Sequence, residues 1–328
     1  MAEPQDIAPK ISRRNHYLPQ FYLRFFANEK NGQLWVYDKQ SPEPRLQSPK
    51  ATAVEVDLYT LVDKQGQEND QLEKMFSILE SQTRPILHRW ITTRTAIKPT
   101  EIGPVAEFLA VMYLRVPRNL AAIREFGGKF TMEYFKKKVQ DAEWFKTSYE
   151  RFVKSTGQKE RMTAEEMRQI MLAPEKHYTL QLDRQYALLA TFKQIMPIFE
   201  KLVSMSWSIC EAPEGIFFIT SDAPVNVFAM TGERQALFGA GFGLPQVEVT
   251  FPLCPSKSLC ISRKRHPPIY GTSGKRIIEL NRRCVVQSER FLISPYKSNR
   301  VKTLIARFGS LIGKEKMSQA DIAKQIKL

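Results

Sequence analysis

Asn15-His16-Tyr17-Leu18-Pro19-Gln20-Phe21-Tyr22-Leu23-Arg24-Phe25-Phe26 puts five Phe or Tyr rings, a His, a Gln, an Asn and a Pro into one short span near the N-terminus. Chain ends are normally polar and poorly ordered, so a segment this apolar must dock into the fold. Docking carries His16 and Gln20 inward, where polar side chains need partners. Residues 1–14 ahead of it read as a flexible lead.

Working outward, Asn31-Gly32 marks a turn, and Gln33-Leu34-Trp35-Val36-Tyr37-Asp38 alternates as a half-buried strand. Val54 to Leu61 reads as a second strand after a Pro-rich loop. The middle is helical. Leu72, Met75, Phe76 and Leu79 recur at helical spacing behind Asp70 as N-cap, with a kink or stop expected at Pro85. Further helices are predicted from Thr100 to before Pro117, across Glu125–Val153, over Thr163–Leu172 with Thr163 as cap, and over Leu182–Met205. From Ser206 the pattern turns to strands: Trp207–Cys210, Ile216–Thr220, Val247–Phe251 and Leu259–Ser262. A helix over Ile277–Ser288, a strand over Arg290–Ser294 and two basic helices, Val301–Phe308 and Ser318–Ile326, complete the chain.

This order predicts an α+β fold, with a helical middle and a mostly antiparallel or mixed sheet built from N-terminal and C-terminal strands. One α+β domain is expected over 15–298, with a helical insertion around 70–205 and basic helices over 299–328. Joining early and late strands would bring His16 toward the C-terminal half.

The formal charge of +15 is unevenly placed. From Pro255 to Leu328 there are 17 Lys and Arg against four acids, a net of +13, which leaves +2 for the rest. Such an excess attracts polyanions, so nucleic acid is the expected partner class; a solvated surface is the plain alternative. Met1 to Lys10 is polar with two prolines and shows no secretory signal, and no apolar run reaches the ~20 residues that span a bilayer. No membrane partner and a cytoplasmic setting follow as expectations. Cys210, Cys254, Cys260 and Cys284 form no C-x-x-C pair and the four histidines are scattered, so no zinc site is expected and free thiols are.

Several residues could carry chemistry. A neutral His16 suits general-base work, or it fixes the segment by bonding a carbonyl. Asp222 follows an apolar run at a strand end, where ligand-contacting groups sit; with Ser221 it equally fits a turn before Pro224. Glu73 and Glu80 lie two turns apart on one helix, about 10.5 Å, as edge carboxylates for a divalent metal or for arginines. Arg115 ends a buried run and Arg118 follows across Pro117, offering forks to a phosphate or an internal bridge to Glu73 or Glu80. Arg263, Lys264, Arg265, Lys275, Arg276, Arg282 and Arg283 form the cationic set for phosphates. The sequence holds no P-loop, dinucleotide fingerprint, nucleophile elbow or zincin pattern. Gly239–Leu244 reads as a flexible loop.

The opening His16–Phe26, with Leu34–Asp38, Leu58-Tyr59, Leu72-Glu73-Lys74 and Glu80, resembles a widespread bacterial domain-of-unknown-function family, number 4238. The resemblance continues through Leu114–Arg118, Ile219–Val225, Phe251–Pro255 and Asn281, and covers about Asn15 to Ser294. Ala223 and Cys254 stand where the family usually has Asn and Ser. The resemblance implies a set of signature residues and names no reaction.

Three functions follow as expectations. The first is a hydrolase of nucleic acid or another phosphate-bearing substrate, with His16, Asp222 and Glu80 as acid/base residues and Gln20, Arg115, Arg118 and Ser221 binding substrate. The second is a non-catalytic nucleic-acid-binding module that uses the C-terminal cations. The third is an interaction or regulatory protein whose signature residues are structural.

Overall fold

The aromatic segment folds as a three-residue strand, β1 (Arg14–His16), and a short helix, α1 (Gln20–Arg24), in a computed structural model. It describes residues 13–41, 43–63, 65–157, 162–173, 180–229 and 241–311. Residues 1–12 of the lead expected to be flexible over 1–14, the helix expected over 318–326 and part of the Gly239–Leu244 loop lie outside them. The last two residues of that lead are instead ordered, Arg13 donating to Asp57 at 2.6 Å and Arg14 opening β1.

Two compact units are formed, one from residues up to Arg118 together with Phe192 onward, the other from Asn119–Thr191. In the first, α1 is followed by β2 (Leu34–Asp38), β3 (Arg45–Gln47), β4 (Val54–Val56) and a small hairpin of β5 (Leu61–Val62) and β6 (Glu68–Asn69). Helices α2 (Gln71–Thr92) and α3 (Pro99–Leu114) come next. The second unit is helical: α4 (Pro117–Val139) enters it, followed by α5 (Ala142–Thr156), α6 (Ala164–Leu172) and α7 (Arg184–Phe192). The chain re-enters the first unit with α8 (Ile195–Val203), β7 (Ser206–Glu211), β8 (Thr220–Ser221), β9 (Asn226–Ala229), β10 (Val247–Cys254), β11 (Lys257–Ser262) and β12 (Ile269–Gly271). Helix α9 (Gly274–Gln287), β13 (Phe291–Ser294) and α10 (Asn299–Phe308) follow.

The fold is α+β. Its larger sheet has order β12-β7-β11-β10-β9, antiparallel except for the parallel β12–β7 pair. Strand β10 is buried at all eight positions, as a strand covered on both faces must be. The second sheet, β3-β2-β13-β8, pairs early strands with late ones: Trp35 faces Ser294 and Asp38 faces Phe291. Its β2–β13 ladder is the joining of chain ends that the pattern required.

The aromatic anchor docks where its composition demanded. Tyr22 stacks on Phe251 of β10 with centroids 4.8 Å apart, and its hydroxyl lies 2.6 Å from Thr220 Oγ1 and donates to the Pro252 carbonyl at 2.9 Å. Phe108 of α3 bridges Phe21 and Phe251 through ring contacts at 5.9 and 6.3 Å.

Several expected elements differ. Helix α2 runs through Pro85 to Thr92, and Asp70 makes no side-chain cap bond. The stretch Val54–Leu61 breaks after Val56 because Asp57 adopts φ +55°, a conformation that Asp tolerates. The runs Glu125–Val153 and Leu182–Met205 are each split into two helices. Ile216–Ile219 forms no strand, and β8 is confined to Thr220–Ser221. Asn281 explains this: its Oδ1 accepts from Ile219 N–H at 3.0 Å and its Nδ2 donates to the Phe217 carbonyl at 2.9 Å. That side-chain amide, together with the Pro255 carbonyl that accepts from Phe218 N–H at 2.8 Å, takes the place of a neighbouring strand.

In the second unit, Asp141 caps α5 and Thr163 forms a capping box with Glu166 at α6. Gly128 is required where α4 meets the following chain, since a Cβ there would stand 2.0 Å from the Leu180 carbonyl oxygen. Among the described residues no helix is long and apolar enough to cross a membrane. All four cysteines are buried free thiols.

Candidate functional site

Helix α2 turns one face toward α1. Glu73, Phe76, Ser77, Glu80, Ser81 and Arg84 recur at three- and four-residue steps, which places them along one side of a helix. Opposite stand His16, Pro19, Gln20, Phe21 and Arg24, and the two sets enclose a cleft of about 420 Å³. Its size falls in the range of small-molecule sites, and its lining is unusually polar for one.

His16 closes β1, held by the pairing of β1 with β4. Its Nε2 lies 3.1 Å from the Lys50 carbonyl oxygen, which can only accept, so Nε2 carries the proton and Nδ1 keeps a lone pair. Burial lowers its pKa, and the Lys50 carbonyl and Glu80 offset this in part. The imidazole is therefore neutral at pH 7.

Beneath the cleft lies Arg115, 1% exposed at the C-terminal end of α3. Nε donates to the Tyr17 carbonyl at 2.8 Å, Nη1 donates to Glu80 Oε1 at 2.9 Å, and the guanidinium covers the Phe76 ring at 5.2 Å. Tyr59 Oη in turn donates to the Arg115 carbonyl at 2.6 Å. Arg115 thus fastens β1, α2 and α3 around the cleft. The internal bridge to Glu80 is formed. Glu73 is pushed up by burial, against the pull of Arg115 and a hydrogen bond from Asn15, and its Oε1 is buried without a hydrogen-bond partner. Arg115 Nη2 is likewise buried and unpartnered.

The cleft therefore gathers His16, Gln20 and Glu80, with Arg115 against its floor. Asp222, Ser221 and Arg118 are not among its lining residues. Asp222 is 5% exposed, and its two oxygens accept three backbone N–H bonds, from Glu289 at 2.9 Å, Arg290 at 2.6 Å and Phe291 at 2.7 Å. It ties the entry of β13 to β8. Burial nonetheless outweighs those bonds and raises its pKa to about 6. Ser221 Oγ accepts from Ala223 N–H at 3.2 Å, the turn geometry expected before Pro224. Arg118 Nη1 donates to the Gln287 carbonyl at the end of α9.

The cationic set divides. Arg263, Lys264 and Arg265 between β11 and β12, and Lys275 at the start of α9, are exposed. Arg276 and Arg283 pair with Glu248, and Arg282 and Arg283 with Glu279. Arg282 and Arg283 are 4% and 1% exposed and stack on Phe228, so their charge is consumed inside the fold rather than offered to phosphates.

Arg24 and Arg84 line the cleft and escaped the sequence reading. Arg84 stands eleven residues after Glu73, three turns along the same face, and that spacing was its readable signal. Among the described residues no group of three or more His, Cys, Asp or Glu could hold a metal ion.

No curated protein and no solved structure matches the chain. A family model described as "Protein of unknown function (DUF4238)" matches residues 14–298, a span that holds the anchor, the five-stranded and four-stranded sheets and every cleft residue. The chain belongs to that family.

Proposed function

We propose that the protein is a hydrolase acting on a phosphate-bearing substrate, with nucleic acid as the substrate class and the His16 cleft as its active site. One observation carries this reading: a neutral imidazole, the carboxylate of Glu80 and the guanidinium groups of Arg24 and Arg84 share one cleft. His16 acts as general base through the nitrogen not bonded to Lys50. It takes a proton from water as the water oxygen bonds phosphorus, the P–O ester bond breaks, and the same proton passes to the departing oxygen, which leaves as an alcohol. Arg24 and Arg84 receive the phosphoryl oxygens and offset the charge that builds in the transition state. Gln20 orients the substrate, and Glu80 both lines the cleft and fixes Arg115. Asp222, engaged by three N–H groups, holds the β8–β13 junction and takes no part in the chemistry.

The test is hydrolysis of single-stranded DNA, single-stranded RNA and a simple phosphodiester such as bis(4-nitrophenyl) phosphate. His16→Ala should abolish turnover while leaving the melting transition within a few degrees of wild type. Equal activity in His16→Ala and wild type would remove the assignment.

The four exposed cations Arg263, Lys264, Arg265 and Lys275 favour a second reading, a nucleic-acid-binding module without turnover. Binding with no hydrolysis of any of these substrates would select it.

A further inference from the structure

Two of the four buried thiols touch. Cys210 Sγ lies 3.4 Å from Cys260 Sγ, and the two residues are 0% and 2% exposed. The register of β7 against β11 places Cys210 opposite Ser258 and Cys260 opposite Ser208. The cysteines are therefore diagonal neighbours on one face of an antiparallel pair, a relation that lets side chains meet across strands. Phe218 and, from α9, Ile277 and Leu280 belong to the same buried cluster, and Tyr270 packs against it. Neither of the other two cysteines meets a sulfur among the described residues. Cys254 Sγ lies 3.3 Å from Ser256 Oγ, and Cys284 Sγ accepts from Asn226 Nδ2 at 3.2 Å.

Three features set this pair apart from an inert core contact. The first is that both hydrogen-bond donors around it aim at one sulfur. The Cys210 thiol donates to Cys260 Sγ, and the Tyr270 hydroxyl donates to it as well. The Cys210 bond above all, against burial, holds Cys260 below the ordinary thiol value. The thiolate is the nucleophilic form, so Cys260 is the attacking sulfur and Cys210, already in contact, the resolving one. The second is a short way in. Tyr270 is partly exposed and sits opposite Cys210 on β12, a three-residue edge strand held by parallel pairing to β7. Parallel pairing is the weaker kind, and short edge elements open locally at low free energy. The third is reach: a disulfide bond is ~2.05 Å long, so the sulfurs need to approach by only about 1.4 Å.

We propose that Cys210 and Cys260 are an oxidation site for hydroperoxides, whose product is a disulfide that ties β7 to β11. Cys260 Sγ bonds one peroxide oxygen as the O–O bond breaks. That oxygen stays on sulfur as a sulfenic acid, and the other leaves as an alcohol, or as water from hydrogen peroxide, with the proton of the Cys260 thiol. Cys210 Sγ then bonds Cys260 Sγ, and the hydroxyl leaves as water with the Cys210 proton. The two thiols together lose two electrons and two protons, and the hydroperoxide takes up both. The site is independent of the His16 cleft and of hydrolysis.

In the test, the reduced full chain is treated with hydrogen peroxide under native conditions, alkylated with N-ethylmaleimide in urea, and mapped by mass spectrometry without reduction. One linked peptide pair, Cys210 with Cys260, should appear, with Cys254 and Cys284 alkylated. The new bond closes a loop of about fifty residues, so the oxidised protein should melt about 5–10 °C higher, and dithiothreitol should reverse the shift. In Cys210→Ala the sulfenic acid lacks its resolving thiol, so dimedone should tag Cys260. Cys260→Ala should give no tag on Cys210. The wild-type peptide map decides the matter whether or not either variant folds. Four alkylated thiols after peroxide, a disulfide that includes Cys254 or Cys284, or a Cys210–Cys260 bond formed only when peroxide is added in urea would overturn the proposal.

Discussion

Arg115 Nη1 donates to Glu80 Oε1 at 2.9 Å, and this bond joins a side chain that is 1% exposed to one that lines the cleft. A guanidinium so deeply buried keeps its charge at a heavy desolvation cost, which only good geometry and further bonds offset. The Tyr17 carbonyl, next to β1, and Glu80 and Phe76 of α2 supply that surrounding. The cleft and the local fold therefore share one keystone.

Removing Glu80 should test this directly. Glu80→Ala leaves a buried cation without its carboxylate and should cost about 3–5 kcal/mol. Glu80→Gln keeps an acceptor for Nη1 and should cost clearly less, about 1–2 kcal/mol. Urea unfolding of both variants is the measurement. A Glu80→Ala protein as stable as wild type would show that Arg115 is held without it.

A pH profile reports on His16. Burial sets its pKa below 6.5. A general base works only when deprotonated, so kcat/KM should be level through neutrality and fall as pH drops through a value below 6.5. An acid limb centred above 7 would assign the base to another group.

Asp222 should behave differently. Asp222→Asn offers one acceptor oxygen to three N–H groups and brings an N–H₂ against the others, a cost of about 2–4 kcal/mol. Its folded pKa, raised to about 6 from 3.8, means that the folded state binds the proton more tightly than the unfolded chain. The stability supplied by the Asp222 carboxyl thus declines as pH rises from about 4 to about 6. The penalty of Asp222→Asn should accordingly be larger at pH 4 than at pH 8, which denaturant melts at the two values will show. The reverse order would mean that the three N–H bonds outweigh burial.

The sequence revealed the architecture more fully than the site. The anchor, the β2–β13 closure and Thr163 as cap are readable because apolar periodicity and capping chemistry are local signals. Ile216–Ile219 misleads since its apolar pattern matches a strand, while its actual partner, Asn281, lies about sixty residues away. The Asp222 environment is equally hidden: a carboxylate beside a turn looks the same whether it faces a cleft or three N–H groups. Arg282 and Arg283 show the opposite case. Glu279 stands three and four residues before them, a spacing that places the carboxylate beside both guanidiniums on α9. Their pairing is written in the sequence, and the charge count conceals it.

That distinction between consumed and available cations yields the last prediction. Arg283 is 1% exposed, bonds Glu248 at 2.6 Å and Glu279 at 3.1 Å, and covers Phe228 at 4.6 Å. Arg283→Ser strips a buried carboxylate of a partner and should cost about 3–5 kcal/mol. Burial works to raise the pKa of Glu248, but Arg283 and Arg276 together hold it below the usual carboxylate range. This contribution is present above pH 4.5 and is lost as pH falls through the lower folded value, so Arg283→Ser should also blunt acid unfolding. Replacing Arg263, Lys264, Arg265 and Lys275 with Ser should leave the melting transition nearly unchanged, since exposed substitutions typically move stability by about 0.5 kcal/mol or less. If those four cations meet phosphates, the slope of log affinity against log salt should become shallower by about 3, near 0.7–0.9 for each phosphate no longer neutralised. An unchanged slope in the quadruple variant would leave the C-terminal charge excess as a solvated surface.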